Sequence, residues 1–139
     1  MQLSRRSLLA LGGSALAAAA LAVPAHAQLP AEVINAVTGG ADMGTGVITL
    51  TAPEIAENGN TVPIGVDAPG AKSITLFADG NPVPNVATFK FGPLSASRSA
   101  STRIRLAGTQ NVVAVAEMED GSFQTAQANI KVTIGGCGG

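Results

Sequence analysis

One residue with nucleophilic chemistry stands out in this sequence: Cys137, the single cysteine among 139 residues. It lies between Gly135-Gly136 and Gly138-Gly139, in the stretch IGGCGG. Glycine offers no side chain that could bury the sulfur, and a single cysteine cannot form a disulfide within its own chain. The pattern therefore predicts an exposed thiol that reacts with other molecules.

The neighbours of Cys137 predict that it is not itself a catalyst. A catalytic cysteine needs a cation, a helix N-terminus or an imidazole close by to favour the thiolate. The nearest basic residue along the chain is Lys131, six positions earlier on a predicted strand. We therefore interpret Cys137 as a passive attachment point that becomes reactive in the pocket of another protein.

The composition excludes most enzyme chemistry. His26 is the only histidine, and it falls in a segment that we interpret below as a cleaved signal. Zinc and copper sites draw on several Cys and His ligands, and Ser/His/Asp or Cys/His systems need an imidazole. We therefore expect no catalytic residue, no metal site and no cofactor in the mature chain.

The four glycines predict a thin, flexible arm at residues 135–139. Because glycine lacks Cβ, such an arm can sweep a wide volume and enter a narrow channel. We expect everything beyond Ile134 to be free, so that Cys137 reaches roughly 10 Å from the body. On this interpretation, replacing Gly136 and Gly138 by valine leaves folding almost unchanged and slows every partner reaction.

The first 27 residues have the pattern of a cleaved export signal. Arg5 and Arg6 precede an uncharged run of 16 residues at positions 8–23, and Ala25 and Ala27 form a small-x-small cleavage triplet. The apolar run is shorter than the roughly 20 residues that span a bilayer. We expect no membrane anchor after cleavage.

The arginine pair of this signal resembles a twin-arginine motif, which directs the export of folded proteins. It predicts a periplasmic location and allows export together with a bound partner. Cleavage after Ala27 leaves 112 of the 139 residues, with six basic against nine acidic side chains. The net charge is then about −3, which offers no basic patch for nucleic acid.

The body of the chain predicts a short helix followed by strands. Residues 30–38 can form two helical turns that end at Gly39-Gly40. Pro63, which lacks an amide hydrogen, is expected to place its strand at a sheet edge. Period-two alternation and short apolar runs predict strands at 47–51, 61–66, 73–78, 85–91, 102–106, 111–116 (apolar on both faces and therefore central) and 126–134.

These elements predict an all-β fold, an immunoglobulin-like antiparallel β-sandwich of about seven strands with a short N-terminal helix. In the last strand, Ala126, Ala128, Ile130, Val132 and Ile134 are expected to face inward. The predicted organisation is a signal at 1–27, a helix and glycine-rich loop at 28–46, a β-sandwich at 47–134 and an arm at 135–139.

The sequence resembles the SoxY family over essentially the whole chain after the signal. Four stretches carry the resemblance: GGCGG at 135–139, the preceding strand at 130–134, ITLTAPEIAENG at 48–59 and STRIRL at 101–106. The ending is the most specific of the four. Residues 39–46 are richer in glycine than the family pattern leads us to expect.

The resemblance implies a non-enzymatic carrier of periplasmic thiosulfate oxidation that pairs with SoxZ, a second sandwich protein. It further implies that the haem enzyme SoxXA couples thiosulfate to the arm cysteine, that SoxB releases sulfate, and that a sulfane dehydrogenase oxidises the remaining sulfur. Carried over to this chain, Cys137 is the attachment sulfur, and Gly135, Gly136, Gly138 and Gly139 form the arm.

Two other functions remain as alternatives at this point. One is a ubiquitin-like sulfur carrier, which also ends in Gly-Gly but works in the cytoplasm and packs a helix on its sheet. The other is a secreted structural β-sandwich protein cross-linked through Cys137. The export signal and the all-β pattern oppose the first, and a cross-link gains nothing from four flanking glycines.

Overall fold

The structure is a computed structural model that describes residues 29–136. The predictions for Arg5, Arg6, Ala25, Ala27, Cys137, Gly138 and Gly139 lie outside this range. Among the described residues, no helix is long and apolar enough to cross a membrane. The elements are α1 Ala31–Thr38, β1 Met43–Gly44, β2 Thr49–Thr51, β3 Ile55–Asn58, β4 Val62–Asp67, β5 Ala71–Ala78, β6 Asn85–Lys90, β7 Ser99–Ile104, β8 Gln110–Met118 and β9 Phe123–Ile134.

The strands form two sheets, which confirms the predicted sandwich. The larger sheet has the order β1-β9-β8-β5-β6, and the smaller one has the order β2-β4-β7. Most neighbours are antiparallel, but β1 and β3 both pair with β9 in parallel. As a result, β9 is flanked by β8 along most of its length and by β3 near its end.

Strand β8 is central, as its two apolar faces predict. Val112, Ala114 and Ala116 point into the main core between the sheets. Val113 and Val115 point to the other face, where they form a second cluster with Phe77. The helix covers that cluster with its apolar side chains, together with residues from the flanking segments: Leu29, Val33, Ile34, Val37, Met43 and Phe123.

The position of Pro63 corrects one prediction. Strand β4 is the middle strand of its sheet, not an edge strand. Proline is tolerated because β2 pairs only with Gly65, Val66 and Asp67 of this strand, so that their ladder stops two residues short of Pro63. At Pro63 the strand is therefore paired with β7 alone, and Pro63 lines an open groove of about 840 Å³ together with residues of the 51–53 segment and of β7.

The glycine-rich segment between the helix and the sandwich contains a strand that the sequence pattern did not predict. Met43 and Gly44 pair in parallel with Phe123 and Gln124 at the start of β9. The helix ends at Gly39, which has the left-handed conformation with φ of 64°. Residues 29–46 are thus tied to the larger sheet at both the helix and β1.

The last strand is longer than predicted, and its end leaves the core. Strand β9 begins at Phe123, and its ladder with β8 runs from Glu117↔Phe123 to Gln110↔Ile130. Ile130 is fully buried, whereas Ile134 is 65% exposed. The prediction that Ile134 faces inward is therefore wrong, because β9 extends beyond β8 at this end of the sandwich.

The sandwich has two ends that differ in their loops. We call the end with the turn at residues 119–122 and the loop at 91–98 the hairpin pole. There the Arg98 guanidinium bonds to the Glu119 carboxylate at 2.8 Å and lies over the Phe91 ring. We call the opposite end, where β9 finishes, the arm pole.

Candidate functional site: the root of the cysteine arm

The end of β9 is held on both sides after β8 has finished. On one side the Lys131 N–H donates to the carbonyl of Glu54, at the start of β3, at 2.9 Å. On the other side the Val132 N–H donates to the Thr109 hydroxyl at 2.9 Å. The Thr109 side chain thus takes the place of a neighbouring strand and fixes the direction in which the chain leaves the sandwich.

The last residue of β9 and the two glycines after it, Ile134–Gly136, are part of the folded domain, and we call them the arm root. The Gly136 N–H donates to the carbonyl of Leu106 at 2.8 Å, and the Gly59 N–H donates to the carbonyl of Ile134 at 2.7 Å. Leu106 in turn donates its N–H to the carbonyl of Gly59 at 2.7 Å. Gly136 is buried.

These bonds correct the prediction that the chain is free beyond Ile134. Gly59 and Leu106 are hydrogen-bonded to each other. In addition, the Gly59 N–H bonds to Ile134 and the Leu106 carbonyl bonds to Gly136, so both residues hold the arm root. Fixing a residue costs roughly 1 to 2 kcal/mol of backbone entropy, so such segments stay ordered only where contacts compensate. Gly135 and Gly136 have those contacts, and the ordered domain extends at least to Gly136.

Glycine is required at the arm root because three backbone segments pass very close together. A Cβ on Gly59 would lie 2.8 Å from the Gly136 nitrogen and closer still to the Leu106 carbonyl oxygen. A Cβ on Gly135 would overlap the carbonyl of Ala107. Real Cβ atoms essentially never approach other atoms this closely. Gly59 and Gly135 are therefore needed for packing.

The Leu106 carbonyl accepts the Gly136 N–H, and the Ala107 carbonyl lies against Gly135. Both belong to residues 105–109, which we call the cradle loop. Asn81 fixes this loop from the neighbouring turn: its Nδ2 donates to the carbonyl of Arg105 at 2.7 Å, and its Oδ1 accepts the Ala107 N–H at 2.9 Å. The turn at residues 79–84 and the cradle loop therefore form one hydrogen-bonded unit.

Gln110 supports this unit from below. Its side chain is buried, and its Nε2 donates to both the Asn81 Oδ1 and the Gly108 carbonyl at 3.0 Å. Its Oε1 accepts the Gly80 N–H at 2.8 Å. A buried amide with all of these partners is well placed to fix the loop geometry.

A second polar chain ties the same turn to the strands. The Asp79 carboxylate accepts the backbone N–H and the side-chain Nδ2 of Asn111, both at 2.9 Å. The Asn111 Oδ1 accepts the Nδ2 of Asn129, on β9, at 3.0 Å. The stretch Asp79-Gly80-Asn81-Pro82 has the composition of a turn, which gives no sign of these long-range bonds. The polar pair Gln110-Asn111 before an apolar strand was the signal that sequence reasoning missed.

The side chain of Arg105 lies against the arm root. A Cβ on Gly136 would lie 2.5 Å from the Arg105 Cγ, so the stem of the arginine packs directly on this glycine. Arg105 is exposed, and its guanidinium carries a permanent positive charge. Distance along the chain had pointed to Lys131 as the nearest cation, whereas the fold brings Arg105 next to the residue that precedes Cys137.

No comparable chemistry occurs elsewhere in the described range. Between residues 29 and 136, no three His, Cys, Asp or Glu side chains come together as a possible metal site. The Asp120 pKa is lowered by hydrogen bonds from the Ser122 hydroxyl and backbone N–H. Both groups lie in the exposed turn at the hairpin pole, where they stabilise the turn.

Comparison with known proteins identifies the family. The family described as "Sulfur oxidation protein SoxY" matches residues 34–137. The solved structure of the sulfur carrier protein SoxY from Chlorobium limicola f thiosulfatophilum is 37% identical, with a TM-score of 0.66, and the match covers 75% of this chain and 96% of that one. No match was found among curated proteins.

More distant structures share the fold alone. The superoxide reductase (neelaredoxin) from Ignicoccus hospitalis is 16% identical with a TM-score of 0.57, over 65% of this chain and 94% of that one. A putative superoxide reductase from Thermotoga maritima is 18% identical with a TM-score of 0.53, over 66% and 87%. By the family match and the identity with the Chlorobium protein, the chain belongs to the SoxY family of sulfur oxidation proteins.

Proposed function

We propose that this protein is a non-enzymatic sulfur carrier of thiosulfate oxidation that holds its cargo covalently on the thiol of Cys137. The family match carries the proposal, since it runs through residue 137 and therefore includes the cysteine. The related Chlorobium protein is a sulfur carrier.

The loading step joins two sulfur atoms and releases two electrons. The Cys137 thiol loses its proton, its sulfur bonds to the outer sulfur of thiosulfate, and the two electrons pass to a haem enzyme of the SoxXA type. Water then attacks the terminal sulfonate in a SoxB-type hydrolysis. Sulfate and two protons leave, and a persulfide anion remains on Cys137.

The arm root contributes position to this chemistry. Gly136 is fixed by Leu106 and Gly59, so the cysteine that follows always starts from the same point on the arm pole. The stem of Arg105 packs against Gly136, which brings a cationic side chain to the arm root. The carried sulfonate and persulfide are both anions.

The family match supports the choice of partners and compartment. We assign SoxZ as the permanent partner, and SoxXA, SoxB and a sulfane dehydrogenase as enzymes that dock transiently. The carrier works in the periplasm after export through the twin-arginine route directed by Arg5 and Arg6. Cys137 and the residues beyond it deliver the cargo, and Gly135 and Gly136 connect them to the domain.

Mass spectrometry of the protein purified from cells oxidising thiosulfate tests this function. We expect the peptide that contains Cys137 to carry thiosulfate-derived or sulfane sulfur adducts, which a thiol reductant removes. The Cys137→Ser variant should support no thiosulfate oxidation. A Cys137 that stays unmodified during active oxidation would refute covalent carriage.

A matched control uses Ser97→Ala. Ser97 is exposed in the loop of the hairpin pole, at the end of the sandwich remote from the arm root. This variant changes one hydroxyl group, as Cys137→Ser changes one sulfur atom, and it should oxidise thiosulfate at the wild-type rate. Normal activity of Cys137→Ser would instead favour a carrier that uses a thiocarboxylate.

A further inference from the structure

The pair Asn58-Gly59 can react with itself through its own backbone. Asn58 is the only asparagine in the sequence that is followed by a glycine. The backbone nitrogen of the residue after an asparagine can attack the side-chain carboxamide carbon and close a five-membered ring. Glycine permits this attack because it has no Cβ in the way and its backbone turns easily. Of all the asparagines in the chain, Asn58 therefore has the neighbour that best allows the reaction.

The fold holds the attacking nitrogen away from the carboxamide. Asn58 is the last residue of β3 and pairs with Ile134 of β9. The Gly59 N–H donates to the Ile134 carbonyl at 2.7 Å, and Gly59 is buried. The nitrogen must give up this hydrogen bond and lose its proton before it can attack. An intact arm root therefore blocks the reaction.

The carboxamide of Asn58 is nevertheless prepared for attack. The Asn60 N–H donates to the Asn58 Oδ1 at 3.0 Å. Attack on the carboxamide carbon places negative charge on this oxygen, and an N–H that already points at it stabilises the charge. Asn58 is exposed, so that water can reach its side chain. One hydrogen bond thus favours the reaction, and the bond between Gly59 and Ile134 prevents it.

We propose that Asn58 is a site of spontaneous deamidation that the arm root keeps closed. When the Ile134 carbonyl moves away, the Gly59 nitrogen loses its proton and its electron pair bonds to the Asn58 Cγ. The carbon–nitrogen bond of the carboxamide breaks, and the amide nitrogen takes up a proton and leaves as ammonia. Water then opens the succinimide ring at either carbonyl and gives aspartate or isoaspartate. The reaction needs only water, and the inference does not depend on the carrier function.

The isoaspartate product cannot return to the original packing. In isoaspartate the main chain runs through the side-chain carbon, which adds one methylene group to it just before Gly59. Gly59 has no room even for a Cβ beside the Leu106 carbonyl and the Gly136 nitrogen. A longer main chain at this point displaces the same atoms. Deamidation therefore marks, irreversibly, the molecules whose arm root has detached.

Gly135→Ala tests whether the arm root is what blocks the reaction. The Ile134 carbonyl belongs to the same peptide group as the Gly135 nitrogen, and a Cβ on Gly135 would overlap the Ala107 carbonyl. The variant must therefore shift that acceptor. The matched control is Gly92→Ala, at an exposed position where a Cβ meets no atom within 4 Å. We expect Asn58 to deamidate about tenfold faster in Gly135→Ala than in the wild type, and at the wild-type rate in Gly92→Ala.

The rate is measured by tandem mass spectrometry of the full chain after incubation in mildly alkaline buffer. Wild type unfolded in guanidinium chloride gives the rate without the arm root. We expect folded wild type to deamidate at least about tenfold more slowly, by the same factor that protects the Gly59 amide from hydrogen exchange, because both processes need the same opening. This comparison decides the question even if Gly135→Ala fails to fold.

Two results would overturn the proposal: equal rates in folded and unfolded wild type, or a folded Gly135→Ala that deamidates no faster than Gly92→Ala. Asn58→Gln is the chemical control, because its longer side chain would have to close a larger ring. After long incubation, the Gly136 amide should lose protection from exchange in the wild type and keep it in Asn58→Gln. An equal loss in both proteins would refute loosening of the arm root by deamidation.

Discussion

Glycine serves two different purposes in the two glycine-rich regions of this molecule. Between the helix and the sandwich, Gly39 and Gly46 have φ of 64° and 95°, and a Cβ on either would meet no atom within 4 Å. At the arm root, Gly59 and Gly136 have ordinary φ angles, but a Cβ would collide with neighbouring backbone or with Arg105. Gly39 and Gly46 are needed for a left-handed backbone conformation. Gly59 and Gly136 are needed because their neighbours leave no room for a side chain.

This difference changes the meaning of the GGCGG ending. Its first two glycines were expected to give flexibility, and the structure shows that they allow a close contact between three backbone segments. The ordered part of the chain therefore includes Gly135 and Gly136.

The largest effect is expected from Gly59→Val. The new side chain would displace the Leu106 carbonyl or the Gly136 nitrogen, both of which are backbone atoms that cannot turn away. We expect the free energy of unfolding to fall by about 3 kcal/mol, as for severe overpacking. Urea denaturation of the purified domain measures it.

The matched control for that variant is Gly39→Asn. Gly39 is left-handed and unobstructed, and asparagine adopts this conformation more easily than most residues. Its cost should stay below about 1 kcal/mol. Equal costs for Gly59→Val and Gly39→Asn would contradict the distinction between the two kinds of glycine.

A smaller loss is expected from Gln110→Ala, which removes the buried amide under the cradle loop. The Gly80 N–H loses its acceptor, and Asn81 and Gly108 each lose a donor. We expect a loss of about 2 kcal/mol in unfolding free energy. Gln127→Ala, at an exposed position of β9, should change stability by no more than about 0.5 kcal/mol.

Gly136→Ala is expected to cost about 1 kcal/mol, because the Arg105 stem can move aside while the Gly59 and Leu106 oxygens, at 3.0 and 3.1 Å from the new Cβ, must yield slightly. This replaces the earlier expectation that a larger residue at Gly136 leaves folding almost unchanged. Thermal unfolding followed by circular dichroism measures the change. A stability equal to that of the wild type would show that the arm root is loose.

The smallest effect is expected from Ser122→Ala at the hairpin pole, where the change in stability depends on pH. The Asp120 pKa is lowered from 3.8 in the folded state, first by the Ser122 hydroxyl. The carboxylate therefore adds stability at pH values above 3.8, and this stability is lost as the pH falls through the lower, folded pKa. Ser122→Ala should be slightly less stable than the wild type at neutral pH, with the difference shrinking in acid. An equal difference at both pH values would exclude this carboxylate as its cause.

Sequence periodicity predicted most strands correctly, because their apolar side chains pack either in the core between the sheets or in the cluster that the helix covers. Val62, Ile64 and Val66 are buried as their alternation predicts. It failed for β1, for β3 and for the edge assignment of Pro63, since all three depend on which strand lies alongside and where that partner ends. Spacing along one strand carries no information about the length of its neighbour.

The residues of the candidate site could likewise be predicted only in part. The uniqueness of Cys137 predicts that it is the reactive residue, and this stays a prediction. The contacts of the arm root could not be foreseen, because Gly59, Asn81 and Leu106 are far apart in sequence and act largely through backbone groups. Arg105 was missed for the same reason: it is close to Gly136 in space and distant along the chain.

The central claim is that the ordered domain extends to Gly136 and leaves only a short tip to present the thiol. Amide hydrogen exchange of the full chain by NMR tests it most directly. We predict that the Gly136 amide is protected at least about tenfold relative to an unstructured peptide, as are the amides of Gly59 and Leu106 that share its bonds. Exchange of the Gly136 amide at the unprotected rate, with Gly59 and Leu106 still protected, would contradict the account.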